Sequence, residues 1–240
     1  MPTQKTHRER RTPGIPARFL ADYMDAGHRR GRTILQAAKY QPIGRVIQHD
    51  EARDANSEFM LSPGEGTAIL RDKAQRLRER IADSDFDRSL YDHNAEYIDR
   101  FAEIYPLLRF PEAIRSAPQQ MSMALSVIQV SIDVSCMLAH RTRSNKIRIG
   151  GVMLRYRKNQ ALKPEIGFWQ SALLHGYLAR HRSESNRSSE NKLCLTLDVV
   201  KGAFYAAPGN AVTRFKEMEA ACASIADQWD KIRPPTGAVL

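Results

Sequence analysis

Apolar and polar residues alternate along one stretch near the middle of the chain. Residues 128–136 read IQVSIDVSC, with apolar side chains at the even positions and polar side chains at the odd positions. This period of two is typical of a half-buried β-strand. Asp133 therefore projects from the polar face, and it is the only formally charged residue between Ala117 and His140.

The first half of the chain shows helical spacing instead. Apolar residues recur three and four positions apart over 67–83 and again over about 87–108. Shorter helical patterns begin at Ala17, near Thr33 and at Asp50. We therefore predict a helical region over residues 17–115.

The pattern changes after Pro118. Strand patterns cover about 122–138 and 146–157, and Gly150-Gly151 inside the second indicates a bulge or a close backbone approach. A helix then begins at Pro164, a polar surface loop covers 182–192, a hairpin follows over 192–206, and a last helix begins near Asn210. This order predicts a mixed α+β fold, in which the helical N-terminal half precedes an α/β domain over 118–240 with a small sheet flanked by helices.

Positive charge is concentrated in two blocks. The net charge is +10, and residues 1–46 carry ten Lys and Arg against three Asp and Glu. Residues 47–115 carry ten against fifteen, whereas residues 141–164 carry eight and no acid. Such blocks attract polyanions, of which nucleic acid is the commonest. The basic composition of residues 1–16 predicts a disordered arm.

Several classes of protein are disfavoured by the composition. No segment approaches the ~18 apolar residues of a membrane helix, and no apolar run follows the N-terminus as in a secretory signal. Cys136, Cys194 and Cys222 lie far apart among apolar residues, which favours buried thiols over a disulfide framework or a zinc site. The chain has no P-loop, dinucleotide-binding or zinc-ribbon motif. We expect a cytoplasmic protein with no membrane partner.

Three short motifs in the C-terminal half point to a known family. Ser131-Ile132-Asp133 lies on one predicted strand, and Gly151–Leu154 or Leu154–Lys158 lies on the next. The helix that follows has Gln170 and Tyr177 seven positions apart, hence on one face. Over about 118–207 the chain thus resembles the PD-(D/E)XK nuclease superfamily, including the Gln…Tyr helix of its exonuclease branch.

The resemblance implies a restriction-endonuclease-like fold and a particular chemistry. In that family one strand of a hairpin carries an Asp and the next carries (D/E)-x-K. The two carboxylates hold a divalent metal, and the lysine orients or activates the attacking water. Here the second strand supplies Val152, Met153, Arg155 and Arg157, and the nearest acid beyond it is Glu165.

Two alternatives follow from this departure. In an active metal-dependent nuclease, Asp133 and Glu165 would hold Mg²⁺, and Lys146 or Lys158 would assist the water. Mg²⁺ draws on carboxylate ligands, so the missing second carboxylate favours a protein that binds nucleic acid on a nuclease-like scaffold without catalysis and without a cofactor.

Phosphate contacts are predicted from the basic stretch 141–163 and from the arginines near residue 30. These cations are Arg141, Arg143, Lys146, Arg148, Arg155, Arg157, Lys158, Lys163, Arg29, Arg30 and Arg32. Such contacts give salt-dependent binding with little sequence specificity. A third alternative is a protein-interaction module that holds a partner through the acidic helical residues 47–110.

Overall fold

The fold combines helices with three β-sheets. It is a computed structural model that describes residues 5–43, 49–64, 66–157 and 160–240. Helices hold 46% of the residues and strands 25%, which confirms the predicted α+β class. Within these ranges, none of the helices has both the length and the apolar character that crossing a membrane requires.

Seven α-helices lie in the described ranges. They are α1 (Ala17–Met24), α2 (His28–Lys39), α3 (Asp50–Leu61), α4 (Ala68–Glu79), α5 (Asp85–Ile104), α6 (Pro164–His181) and α7 (Ala211–Gln228). The apolar stripes predicted for the two helices before residue 110 are confirmed, since Leu70, Leu77, Ile98 and Phe101 are all buried. The side chain of Ser84 accepts a hydrogen bond from the backbone N–H of Asp87, which caps the start of α5.

Ten β-strands accompany these helices in the same ranges. They are β1 (His7–Glu9), β2 (Gly14–Pro16), β3 (Tyr40–Pro42), β4 (Ile114–Ser116), β5 (Gln119–Leu125), β6 (Ile128–Val134), β7 (Cys136–Arg141), β8 (Ile147–Arg155), β9 (Arg187–Asp198) and β10 (Ala203–Ala206).

The strands form sheets of two, three and five strands. Their orders are β1-β3, β2-β6-β5 and β10-β9-β8-β7-β4. In the five-stranded sheet β8 and β9 run parallel, joined by a crossover through α6, and the other neighbours are antiparallel. The chain passes from the three-stranded to the five-stranded sheet at Ser135, whose backbone N–H donates to the carbonyl oxygen of Val152 at 2.8 Å.

Helices cover both faces of the five-stranded sheet. On β9, Leu193, Leu195 and Leu197 pack in a core with α3, α4 and α5. Cys194 faces the opposite way, into a core formed with α6, α7 and the three-stranded sheet. This alternation along one strand places the sheet as the middle layer of three.

The predicted helical region and the predicted α/β domain share both cores. Leu20 of α1 and Leu35 of α2 belong to the core that contains α6 and α7. Helices α3 to α5 cover the other face of the sheet. An apolar helix stripe needs a surface to bury it, and the two faces of the sheet supply that surface. Residues 17–115 are therefore interleaved with the sheet rather than separate from it.

The expectation of a disordered arm over residues 1–16 is wrong for its described part. Strand β1 pairs with β3, and β2 pairs in parallel with β6. Ile15 is fully buried in the core beside α1. Burial of the Ile15 side chain stabilises the ordered segment. The flanking Pro13 and Pro16 reduce the conformational entropy that is lost when the segment becomes ordered. Residues 1–4 lie outside the described ranges.

Several strand boundaries also differ from prediction. The single strand expected over 122–138 is the β5–β6 hairpin followed by β7, with a turn at Ser126, whose φ is 55°. The polar loop expected over 182–192 contains the first half of β9. The predicted bulge is confirmed by a register shift between Ile149 and Gly151. A Cβ at Gly150 would lie 2.2 Å from the carbonyl oxygen of Leu193, so only glycine allows this close approach.

Candidate nucleic-acid interface and buried polar centre

Arg155, at the end of β8, lies at the centre of a buried polar cluster and is only 6% exposed. Its Nη2 donates to both carboxylate oxygens of Asp22, at 2.8 and 2.9 Å. Its Nη1 donates to Oε1 of Gln170 at 2.9 Å and to the carbonyl oxygen of Arg18 at 3.0 Å. We call Arg18, Asp22, Arg155 and Gln170 the polar centre.

Three elements bring the polar centre together. Arg18 and Asp22 are one helical turn apart on α1, and Gln170 lies on α6, against which α1 packs. On β8, Met153 points into the core that contains α6, and the alternation of the strand directs Arg155 to the same side. The polar centre therefore ties α1, β8 and α6 to one another.

The electrostatics of the polar centre suit an ion pair rather than a metal site. Burial lowers the pKa of Arg155 from its ordinary value, and the neighbouring Asp22 carboxylate acts in the opposite direction. An arginine side chain keeps its charge in proteins and only donates hydrogen bonds. Arg155 donates to both oxygens of Asp22, so a cation of the protein itself already neutralises this carboxylate.

The structure does not bring Asp133 and Glu165 together, and this result does not support the catalytic alternative. Asp133 is exposed on the face of β6 opposite the core that contains α6. It lines a cleft of about 330 Å³ beside Asp54 and Glu58 of α3. Glu165, at the start of α6, instead forms a salt bridge with Arg214 at 2.7 Å. Across the described ranges, no group of three or more His, Cys, Asp or Glu side chains is placed to hold a metal ion.

The hairpin expected to carry both nuclease motifs is also divided differently. Asp133 lies in the three-stranded sheet, whereas Val152, Met153 and Arg155 lie in the five-stranded sheet. The strand that pairs antiparallel with β8 is β7, which begins only at Cys136. The chain therefore changes sheets between the two predicted motifs.

Exposed cations gather at the end of the five-stranded sheet where β7 turns into β8. Arg141, Arg143 and Lys146 of this turn are exposed. Arg187, at the start of β9, pairs with Ile147, which brings the segment after α6 to the same end. We define the basic sheet end by its six cations: Arg141, Arg143, Lys146, Arg148, Arg182 and Arg187.

The side chains of the basic sheet end make few contacts of their own. Arg141 donates to Oδ1 of Asn145 at 2.5 Å, and Arg148 donates to Oγ of Ser188. Two acids, Glu184 and Glu190, lie in the neighbouring chain segment. The six cations therefore outnumber the local acids by four.

The remaining predicted phosphate contacts lie elsewhere. Arg155 is buried and cannot reach a phosphate, which corrects the prediction that it contacts one. The nine residues of β8 separate its two ends by about 26 Å, so the half-buried Arg157 is also remote from the basic sheet end. Lys163 pairs with Asp25 at 2.9 Å. Lys158 lies outside the described residues.

The three arginines near residue 30 form a separate basic patch. Arg29, Arg30 and Arg32 are exposed on α2, at the N-terminal half of that helix. Helix α2 packs on α1 and β2 rather than on β7 or β8. These arginines therefore belong to a different part of the surface.

Sequence reasoning missed Asp22, Arg182 and Arg187. Asp22 follows the buried pair Leu20 and Ala21 on a short helix, a place where an acid needs a partner, but the sequence does not say which one. Arg182 and Arg187 fell within a predicted polar loop. Their position near the β7–β8 turn follows from the register of β9 against β8, which only the folded sheet shows.

Comparison with known proteins gives no family for this chain. No protein-family model matches it, and no curated protein matches it at a significant level.

Proposed function

We propose that this protein binds nucleic acid through phosphate contacts at the basic sheet end and does so without catalysis. One observation carries the proposal. Arg141, Arg143 and Lys146 share one exposed turn, and no salt bridge joins them to an acid within the described part of the chain. Exposed cations left without acidic partners favour a polyanion that neutralises them.

Binding would proceed by simple electrostatics. The arginine guanidinium groups can each donate two hydrogen bonds to one phosphate, while the lysine contributes a point charge. Neutralising phosphates releases the counterions that surround the nucleic acid, which makes the affinity fall steeply with salt. Contacts of this kind hold the backbone and read little of the base sequence.

The nuclease-like scaffold remains part of this proposal. The order of hairpin β7–β8 followed by α6 agrees with the hairpin-then-helix order of the PD-(D/E)XK superfamily. Arg155 comes from the stretch that resembles the second motif, and it contacts Gln170 of the following helix. Arg155 is a cation in the stretch where the family has a metal-binding carboxylate, and it pairs with Asp22. This arrangement supports a scaffold without Mg²⁺-dependent chemistry.

No observation favours the protein-interaction alternative over nucleic-acid binding. Helices α3 to α5, which make up most of residues 47–110, use their apolar stripes to cover the sheet. Their outer surface carries local ion pairs such as Arg78 with Asp99 and Arg80 with Glu51. We also propose a cytoplasmic location, which the buried and unpaired thiols of Cys136, Cys194 and Cys222 support.

A binding assay tests the proposal. Fluorescence anisotropy would follow labelled duplex DNA, single-stranded DNA and RNA at low salt. Replacing Arg141, Arg143 and Lys146 with Ala should weaken binding about tenfold or more, since three phosphate contacts are lost. The matched control replaces Arg71, Arg76 and Lys201 with Ala, which removes the same charge from exposed positions outside the basic sheet end.

The control should bind nearly as well as the wild type. An absence of binding by the wild type at low salt would overturn the proposal. So would equal losses of affinity in the two triple variants, because the effect would then come from net charge alone.

A further inference from the structure

Strand β5 leaves one long edge open. Among the described strands it pairs only with β6. Its seven residues, Gln119–Leu125, contain neither a charge nor a proline. In an antiparallel pair only alternate residues bond to the neighbour, so the other backbone N–H and C=O groups of β5 point outward. Edge strands of this length usually carry a charge, a proline or a bulge that prevents further pairing.

The pattern of β5 is self-complementary. Met121, Met123 and Leu125 are buried, whereas Gln120, Ser122 and Ala124 are exposed. We propose that two copies of this chain pair antiparallel through β5, around a two-fold axis at Ser122. Ser122 then faces Ser122 of the second copy, and Met121 faces Met123 of the second copy. Core-facing positions meet core-facing positions: Met121 meets Met123, and Leu125 meets Gln119, which is exposed but lies on the same face of its strand. The joined six-stranded sheet therefore keeps its two faces distinct.

The hairpin tip supplies a second complementary contact. Val127 is 64% exposed at the β5–β6 turn. In the same register Leu125 comes opposite Gln119 of the second copy, so the turn that holds Val127 lies near Pro118 of the second copy. Pro118, Leu61 and Val134 form the apolar part of the cleft lined by Asp133. The two-fold axis repeats this contact, so both exposed valines and both clefts gain an apolar partner.

Charge does not oppose this pairing. Asp133 is the only charged residue on β5 and β6. It pairs with Gln120, so two β5 strands separate the two copies of Asp133, a distance of at least about 14 Å at the usual strand spacing. Charges at that separation are screened at physiological salt, where the Debye length is about 8 Å. The uncharged stretch of the sequence thus coincides with the proposed interface.

Sedimentation equilibrium of the full chain, without nucleic acid, tests the dimer. The range should extend from about 1 to 100 µM, because small interfaces of this kind belong to the weak class. Ser122→Lys places two lysines at the axis and should raise the dimer dissociation constant at least tenfold. The control is Ser131→Lys. Ser131 is the cross-strand neighbour of Ser122 on β6, also exposed but one strand from the interface. Its dissociation constant should stay within about twofold of the wild type.

A cross-link tests the register independently of the lysine variants. Residues directly opposite in an antiparallel pair lie about 4.5–5.5 Å apart, within disulfide range. Ser122→Cys should form a covalent dimer on mild oxidation, and Ser131→Cys should not, while the three native thiols are buried. A wild type that stays monomeric over this range would overturn the proposal. A dimer unaffected by Ser122→Lys, or an uncross-linked Ser122→Cys variant, would overturn it equally.

Discussion

At the scale of single residues, the ion pair between Arg155 and Asp22 joins α1 to β8 in a largely buried position. Both side chains are largely shielded, with 7% and 15% exposure. Asp22→Asn removes one charge and leaves Arg155 buried without compensation. We predict a loss of about 3–5 kcal/mol in the free energy of unfolding, measured by urea denaturation.

The matched control for this change is Asp25→Asn on the same stretch of chain. Its partner Lys163 is 69% exposed, so solvent screens the pair. The expected loss is below about 1 kcal/mol. Equal losses in the free energy of unfolding for the two variants would contradict the central position of Arg155.

Cys222 provides a prediction about alkaline pH. Burial, with a smaller contribution from Glu219, raises the pKa of its thiol from 9.0 to about 12. A raised pKa means that the folded state holds the proton more tightly than the unfolded state. The resulting stability is complete below about pH 9 and is lost as pH rises toward 12.

The test compares the wild type with Cys222→Ala by urea denaturation at several pH values. Above pH 9 the wild type should lose up to about 1.4 kcal/mol per pH unit relative to the variant. Below pH 8 the difference between the two proteins should be constant. A difference that does not change with pH up to 11 would show that Cys222 titrates normally.

At the scale of elements, the contact between α6 and α7 depends on a glycine. A Cβ at Gly176 would lie 2.0 Å from the ring of Phe215. Gly176→Ala should therefore force the helices apart and lower the melting temperature, at a cost of about 1–3 kcal/mol. Gly209→Ala is the control, because nothing lies within 4 Å of its added Cβ. A scan showing equal melting temperatures for Gly176→Ala and the wild type would contradict this packing.

Much of the element structure could be read from the sequence, because local patterns decide it. The stripes of α4 and α5 and the glycine bulge of β8 were predicted correctly. The β5–β6 turn was missed although it left a sign: buried residues fall on odd positions up to Leu125 and on even positions from Ile128. That change of phase requires an interruption of the strand alternation between Leu125 and Ile128.

The candidate site was harder to predict, because its contacts join distant parts of the chain. Asp22 and Arg155 are 133 positions apart, and only the packing of α1 on α6 brings them together. The sequence singled out Arg155 and Gln170, yet it suggested a phosphate contact and a nuclease-like helix rather than one buried cluster. Burial of a charge depends on tertiary packing, which no periodicity encodes.

At the scale of the whole molecule, charge is divided between distinct surfaces. The acidic stretch over residues 47–115 contains α3 to α5, which form the layer on one face of the sheet. Two clusters of cations lie at the basic sheet end and on α2. A net charge of +10 that is distributed in this way favours polyanion binding at one or two faces over uniform attraction to the whole surface.

The salt dependence of nucleic-acid affinity tests the central claim most directly. If the basic sheet end neutralises about four phosphates, the logarithm of the association constant for duplex DNA should fall with a slope of about −3.6 against the logarithm of salt concentration. Replacing Arg141, Arg143 and Lys146 with Ala should reduce the steepness of that slope by about 2.7. The control variant of Arg71, Arg76 and Lys201 should keep the wild-type slope. A slope near zero for the wild type, or one that the first triple variant leaves unchanged, would contradict phosphate binding at this surface.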